Sequence, residues 1–156
     1  MWLRLAVQFL VPGIILGCAR GEFPVCGTTS LQELEGLFEA VVASDSATLV
    51  LEVDGSEAFL QFSAGPDKVW MDFPLVTPAQ RAREEAIREF YRSRGWTVLE
   101  NRGSDGSLFL DVVLPPDAAA VAREAREVFQ ELLGVDDGAS ITVKGEGFEW
   151  RGGRPK

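Results

Sequence analysis

The chain has 156 residues, a length that suits one folded domain preceded by a leader. It carries 15 Lys and Arg against 24 Asp and Glu, and a formal net charge of −9 disfavours nucleic acid as a partner. It contains no histidine, which excludes Ser-His and Cys-His dyads and most zinc sites, so catalysis would have to rest on carboxylates or lysine.

The first 17 residues have the layout of an export signal. Arg4 precedes an apolar run over residues 5–16, which at about a dozen residues is shorter than the roughly 20 that a spanning helix needs. The motif Ile-Leu-Gly-Cys that ends at Cys18 resembles the lipobox of bacterial lipoproteins. We therefore expect residues 1–17 to be a signal segment and Cys18 to be the lipidation site. The expected localisation of the protein is the bacterial cell envelope, where it would be lipid-anchored or periplasmic.

Other interpretations of this segment stay open. It is also compatible with an ordinary cleaved signal, a retained hydrophobic anchor, or an apolar first helix packed on the domain, and without a signal the protein would be cytoplasmic. Cys18 and Cys26 would form a small disulfide loop in an oxidising compartment. Without that partner, Cys26 is expected to be an inert thiol, because no neighbouring base lowers its pKa. Residues 18–29 contain two glycines and a proline and are predicted to be a tether.

A single domain is expected over residues 30–150, and it begins with a helix. Ser30 and Glu33 form a capping-box pattern at the helix start. Apolar residues recur at three and four residue intervals and predict one buried stripe, formed by Leu31, Leu34, Leu37, Phe38, Val41 and Val42.

Three strands are predicted next. Residues 47–53 are β-branched and apolar, the Asp54-Gly55 pair is a strong hairpin signal, and residues 57–62 return antiparallel. A Gly-Pro-Asp turn then leads into a strand over residues 69–73, in which apolar and polar residues alternate. The three strands form a meander.

A central helix follows this meander. Thr77 is the predicted N-cap, Pro78 occupies the first helical position, Gln80 completes a capping box, and Gly95 ends the helix. Its predicted buried stripe consists of Ala79, Ala82, Ala86, Ile87, Phe90 and Tyr91.

The last part of the chain repeats strands followed by a helix. Strands are predicted over residues 96–99 and 108–114 around a polar loop, and a helix capped by Asp117 ends at Gly134. Residues 139–143 are predicted to form one more strand and residues 151–156 a tail. The fold class is therefore α+β, an antiparallel sheet of five to six strands with helices mainly on one face, in the order α-β-β-β-α-β-β-α with a final β.

This order resembles the type III secretion chaperone fold and its YbjN-like relatives, which are peptide-binding chaperone-like domains. The resemblance covers residues 30–134. It depends on the element order, on the strand Val-Trp-Met-Asp-Phe-Pro-Leu that begins at Val69, on Gly95-Trp96 after the central helix, and on the closing helix that ends near Gly134. It implies a non-enzymatic domain that binds proteins or peptides.

Alternation along the strands separates two faces of the sheet. The face expected to meet the helices carries Leu49, Leu51, Leu60, Phe62, Val69, Met71, Phe73, Leu108, Leu110 and Val112. The opposite face carries Glu52, Phe59, Gln61, Trp70, Asp72, Phe109 and Asp111. Three aromatic residues on a face without helices indicate that something covers it. That cover would be the final strand, the tether or the region of Phe148 and Trp150, or else a peptide or a second copy.

The candidate site is a peptide or dimer surface formed by Phe59, Trp70, Asp72, Phe109 and Asp111, in which the rings give contact area and the acids select basic partners. We expect no catalytic residue, cofactor or metal, since the known phosphate, dinucleotide and nucleophile motifs are missing from the sequence. The expected partners are a protein or peptide, a possible homodimer, and the membrane through an N-terminal lipid. The alternatives are an accessory envelope lipoprotein without chaperone activity and a carboxylate-dependent enzyme that would use Glu52, Asp72 and Asp111.

Overall fold

The computed structural model describes residues 23–152, which form an α+β domain built on one antiparallel sheet of seven strands. The strands lie side by side in the order β1-β7-β2-β3-β4-β6-β5. They are β1 Val25–Thr29, β2 Ala47–Val53, β3 Phe59–Ala64, β4 Val69–Pro74, β5 Leu99–Arg102, β6 Leu108–Leu114 and β7 Ile141–Glu146. The three longer α-helices are α1 Leu34–Val42, α2 Glu84–Arg92 and α3 Ala118–Glu127. A 3-10 turn, Leu31–Glu33, precedes α1, and a four-residue helical turn, Pro78–Arg81, precedes α2.

The α+β class and the meander of β2, β3 and β4 are confirmed, but the predicted five to six strands are too few. Residues 25–29, predicted to belong to the tether, form β1 and pair with β7. The final strand β7 lies inside the sheet, because it also pairs with β2. Both edges of β7 are therefore hydrogen-bonded to neighbouring strands, and β1 and β5 are the edge strands of the sheet.

The core lies between one face of this sheet and the helices. Nine of the ten sheet residues predicted to face the helices are buried, and Leu108 is partly buried against the same cluster. The apolar stripe predicted for the first helix is confirmed, because Leu31, which precedes α1, and Leu34, Leu37, Phe38 and Val41 are all 0 % exposed, and Val42 is partly buried against the core. Helix α1 packs against α3. The ring of Phe38 in α1 and the ring of Phe62 in β3 make an edge-to-face contact, with 4.9 Å between their centroids.

The central helix differs from its predicted extent. The capping box at Thr77 and Gln80 is present, but the turn Pro78–Arg81 is separate from α2. The three alanines of the predicted stripe are exposed, while Ile87 and Tyr91 are buried and Phe90 is partly buried. A helix of nine residues presents about two and a half turns, so its buried side consists of these few large side chains.

In the second half of the chain, the boundaries of some elements also differ from the predicted ones. Strand β5 begins at Leu99, three residues later than predicted, and includes Asn101 from the predicted loop. Asp117 caps α3 by accepting a hydrogen bond from the Ala120 amide at 2.7 Å, as expected. Helix α3 continues as a π-helical turn, Val128–Leu132, and Gly134 ends it with φ of 68°.

A buried hydrogen bond between α2 and α3 was not predicted. The Tyr91 hydroxyl donates to Glu124 Oε1 at 2.9 Å, and Glu124 is only 6 % exposed. Arg94 lies 3.4 Å from the same carboxylate and stacks over the Phe90 ring at 3.8 Å from its centroid. Burial raises the pKa of Glu124, while the Tyr91 hydroxyl and Arg94 favour its charged form. The cluster joins the two helices at the edge of the core.

Candidate functional site

The sheet face that points away from the helices is called here the open face, and strand register defines its residues. Side chains of directly paired residues in an antiparallel sheet point to the same face, so the register assigns every strand residue to one side. One row crosses the whole sheet on this face and consists of Cys26, Lys144, Val50, Gln61, Asp72, Asp111 and Leu99. The five predicted site residues all lie on this face.

Trp70 lies at one side of the central row, in β4, and is partly exposed. Its ring packs on the turn between β3 and β4, where Lys68 Nζ lies 5.0 Å from the ring centroid. A shallow pocket of about 220 Å³ lies beside the ring and is lined by the turn residues Gly65, Pro66, Asp67 and Lys68. Val113, directly opposite Trp70 in β6, is 41 % exposed. This side of the open face thus offers an aromatic ring, an aliphatic side chain and a concave edge.

The two other aromatic rings lie at the opposite side of the central row. Phe59 and Phe109 are two residues along β3 and β6 from Gln61 and Asp111, and both are partly exposed. Leu99 extends the row onto the edge strand β5 and is 47 % exposed. The open face therefore has apolar groups on three sides of its acidic centre.

The acidic centre consists of two carboxylates that face each other across neighbouring strands. Asp72 of β4 pairs directly with Asp111 of β6, and they are 3 % and 4 % exposed. Asn101 Nδ2 donates to Asp111 Oδ2 at 3.1 Å. Like charges directly opposite each other in a sheet repel, and buried charges need cations or hydrogen-bond donors close by. Both carboxylates take part in interactions of this kind, and for Asp111 one of them is the hydrogen bond from Asn101.

A lysine at the other end of the row was not predicted from the sequence. Lys144 is only 1 % exposed, and its Nζ lies 2.6 Å from Glu52 Oε2. Lys144 belongs to β7, one residue beyond the strand that was predicted over residues 139–143. The signal that identifies it is the alternation of β7, in which Val143 points to the core and its neighbours point away.

Side chains at the centre of the open face are closed to solvent. The helices described within residues 23–152 lie on the other face of the sheet. Val50, in the same row as Lys144, is 1 % exposed but does not belong to the core cluster. Phe148 and Trp150, considered as a cover for this face, pack on the helix side instead. A Cβ built at Gly145 meets Phe148 at 2.5 Å and one at Gly27 meets Trp150 at 2.7 Å, and both glycines pair with core-facing residues.

One of the two cysteines of the chain, Cys26, lies on the open face. Cys26 points to the open face at its β1 edge, opposite Lys144, and it is disulfide-bonded. The other cysteine of the chain, Cys18, lies outside the described residues, and so does its predicted lipidation. A sulfur atom that carries a lipid thioether cannot also form a disulfide, so the two fates of Cys18 exclude each other.

A second, larger pocket of about 370 Å³ lies on the helix side, between the end of α2 and α3. Of its charged lining groups, Arg94 bridges to Glu124 at 3.4 Å and to Glu127 at 2.9 Å, and Arg123 is exposed. Because Arg94 already pairs with both glutamates, this pocket leaves mainly Arg123 as a charged group for a ligand to recognise. The open face is the better candidate.

The three acids that were considered for catalysis lie apart on the open face. Glu52 lies against Lys144, at the other end of the row from Asp72 and Asp111, so the three acids do not converge. Within residues 23–152, no group of three or more His, Cys, Asp or Glu side chains has the geometry to hold a metal ion. In the same part of the chain, every helix is too short or too polar to cross a bilayer.

Comparison of the chain with protein-family models, with curated proteins and with solved structures finds no significant match, so the interpretation of the open face depends on its residues and geometry.

Proposed function

We propose that this protein is a non-enzymatic, chaperone-like domain that binds an extended peptide or protein segment on its open face. The observation that carries the proposal is the arrangement of partly exposed apolar side chains around a buried pair of carboxylates. Trp70, Phe59 and Phe109 supply contact area, and Asp72 and Asp111 supply negative charge at the centre. Aromatic anchors around a polar centre are the pattern of a binding surface.

The charges of the open face favour a basic and apolar ligand. Glu52 and Lys144 pair with each other, so the negative charge at the centre of this face comes from Asp72 and Asp111. The whole chain has a formal charge of −9, which adds long-range attraction for a basic segment and repels an acidic one. A ligand that combines Lys or Arg with large apolar side chains fits both features.

Peptide binding to a chain that begins at residue 18 tests this proposal. We expect fluorescent peptides of about 15 residues, rich in Leu, Phe and Arg, to bind with an affinity that falls as salt is raised, because the carboxylates contribute through screened charge. Peptides with Glu in place of Arg should bind at least ten-fold more weakly. Fluorescence anisotropy measures both series.

The matched variant for this experiment is Asp72→Asn with Asp111→Asn, which keeps the size of both side chains. Its preference for Arg peptides over Glu peptides should largely disappear. Equal binding of both peptide series by the parent domain contradicts the proposal. Capture of one folded partner without peptide binding would favour an accessory envelope lipoprotein instead.

We further propose that lipoprotein processing tethers the mature protein to the membrane through Cys18, in place of the disulfide in which Cys26 takes part in the unprocessed chain. Expression in a bacterium that processes lipoproteins should yield a chain that lacks residues 1–17 and carries a lipid mass on Cys18. The Cys18→Ser variant should then lose the lipid and leave the membrane fraction. Intact mass spectrometry checks this, because a disulfide between Cys18 and Cys26 lowers the mass of the full chain by two hydrogens and adds no lipid. A full-length chain with that disulfide contradicts the tether.

A further inference from the structure

The sheet of this domain ends in an edge strand that carries two opposite charges. Strand β5, Leu99–Arg102, pairs with β6 on one side, and no strand within residues 23–152 pairs with its other side. Glu100 and Arg102 are exposed and point to the same face of the sheet, because they are two residues apart in a strand. The other edge strand, β1, contains no charged residue. An unpaired edge of this kind is a template that another strand can extend.

The hydrogen bonds of β6 show which backbone groups of β5 point outward from the sheet. The Leu75 amide donates to the Leu108 carbonyl at 2.9 Å, so Leu108 directs its backbone groups toward β4. Its partner in β5 is Arg102, whose N–H and C=O therefore point away from β6. Because the direction alternates along a strand, the N–H and C=O of Glu100 also point outward. Both charged residues thus present hydrogen-bonding groups at the edge.

These directions limit the ways in which a second copy of β5 can pair antiparallel with the first. In a symmetric pair, one residue lies opposite itself on the two-fold axis, and outward-pointing residues face outward-pointing residues. With Glu100 or Arg102 on the axis, like charges oppose each other directly, which is unfavourable. With Leu99 on the axis, Glu100 lies opposite Val98 and finds no charge. With Asn101 on the axis, Glu100 of each copy lies opposite Arg102 of the other, and both pairs attract.

The side chains of β5 are placed for this register. Arg88 Nη2 lies 2.5 Å from Glu100 Oε1, but 56 % of the Glu100 side chain stays exposed and can accept from a second arginine. Arg102 makes no ion pair inside the described domain. Asn101 donates to Asp111, which orients its side chain within its own copy. Leu99 is 47 % exposed at the same edge and loses solvent contact when a strand is added.

We propose that β5 is the interface of a symmetric homodimer, in which it pairs antiparallel with β5 of a second copy and Asn101 lies on the two-fold axis. The two sheets then join into one continuous sheet. Both open faces point to the same side of it, because direct partners in an antiparallel pair share a face. The interface uses the edge of the sheet and leaves the open face uncovered, so this inference does not depend on the peptide-binding function.

The same charges explain why the edge selects its own copy. Charged residues on a short edge strand discourage pairing with unrelated strands, because most registers leave a charge unmatched or opposed. Only a partner with an arginine opposite Glu100 and an acid opposite Arg102 gains from both. A second β5 supplies this pattern in one register, and the two-fold axis closes the assembly at two copies.

Exchange of charges between copies tests the proposal in the full chain, purified in a mild detergent. Arg102→Glu places acids opposite acids, and Glu100→Arg places arginines opposite arginines. We therefore expect each variant alone to dimerise more weakly than the parent, by about ten-fold or more. An equimolar mixture of the two variants matches every arginine with an acid, so mixed dimers should form at least as strongly as parent dimers. Native mass spectrometry with one variant isotope-labelled measures both kinds of dimer.

Two further variants control this experiment. The chain with both Glu100→Arg and Arg102→Glu has opposite charges again and should dimerise like the parent. Arg151→Glu makes the same change in net charge beside Trp150, which packs against β1 at the other end of the sheet, and should not affect dimerisation. The melting temperature of each variant shows that it is folded.

Hydrogen exchange gives a second measurement. The amides of Glu100 and Arg102 should be protected in the parent and should exchange faster in Arg102→Glu. A monomeric parent, equal dimerisation of all variants, or no preference for mixed dimers would overturn the proposal. Protection of these amides in a monomer only after an extended peptide is added would also overturn it, because the edge would then take a peptide strand.

Discussion

Tyr91→Ala is expected to destabilise the domain by about 3–5 kcal/mol, the range for removing a large aromatic side chain from a core. Tyr91 is 0 % exposed, and its ring centroid lies 5.1 Å from that of Phe90, 6.0 Å from Trp96 and 6.1 Å from Phe73. The substitution also removes the hydroxyl that donates to the buried Glu124 carboxylate. Urea unfolding of the chain that begins at residue 18 measures the free energy of unfolding.

Two variants separate the contributions to this effect. Phe90→Ala is the control in the same helix and should cost less, since Phe90 is only partly buried and one of its faces lies against Arg94. Tyr91→Phe keeps the ring and removes the hydrogen bond to a charged group, so a cost of about 1.5–3 kcal/mol is expected. A larger cost for Phe90→Ala than for Tyr91→Ala would mean that the opposite side of α2 faces the core.

Tyr91 also predicts how stability depends on pH. Burial raises the pKa of the Tyr91 hydroxyl above its ordinary value of 10.0, and the neighbouring Glu124 carboxylate raises it further. Because the folded chain holds this proton more tightly than the unfolded chain, the contribution is complete below about pH 10 and is lost as the pH rises above it. Tyr91→Phe should lose less stability between pH 9 and pH 11 than the parent, and an equal loss in both chains would exclude this cause.

Trp70→Ala, in the chain that begins at residue 18, is expected to weaken peptide binding by about 2 kcal/mol or more, which is roughly a 30-fold loss of affinity. The ring is partly exposed and lies between the pocket of the β3–β4 turn and the exposed Val113. An aromatic ring with one free side is the kind of group that anchors a ligand. The melting temperature should stay within a few degrees of the parent, because the core lies on the other face of the sheet.

Trp96→Ala provides a matched control for this prediction. Trp96 is 40 % exposed and lies at the helix side, near Tyr91, so its loss removes a similar area without touching the open face. Peptide affinity should change less than three-fold in this variant. Unfolding of Trp70→Ala, or equal losses of affinity in both variants, would show that Trp70 is not a binding anchor.

Local patterns in the sequence predicted the elements and the sides of the sheet. Alternation of apolar and polar residues in β4 predicted that Met71 and Trp70 point to opposite faces of the sheet, because successive side chains of a strand alternate between its two faces. Capping residues such as Thr77 and Asp117 marked helix starts by a short-range hydrogen bond that the sequence spacing already contains. The α2 stripe was less well predicted, because alanines satisfy the helical period whether they are buried or exposed.

Alternation along each strand shows which of its residues share a face, whereas the folded sheet is needed to show which residues of different strands meet there. Asp72 opposes Asp111, and Lys144 comes to lie beside Glu52, through pairings between strands that are distant in the chain. The burial of β7 between β1 and β2, and the conversion of a predicted tether into β1, follow from the same long-range pairing. Strand partners are selected by hydrogen bonds and core contacts across the whole domain, and no local spacing records that choice.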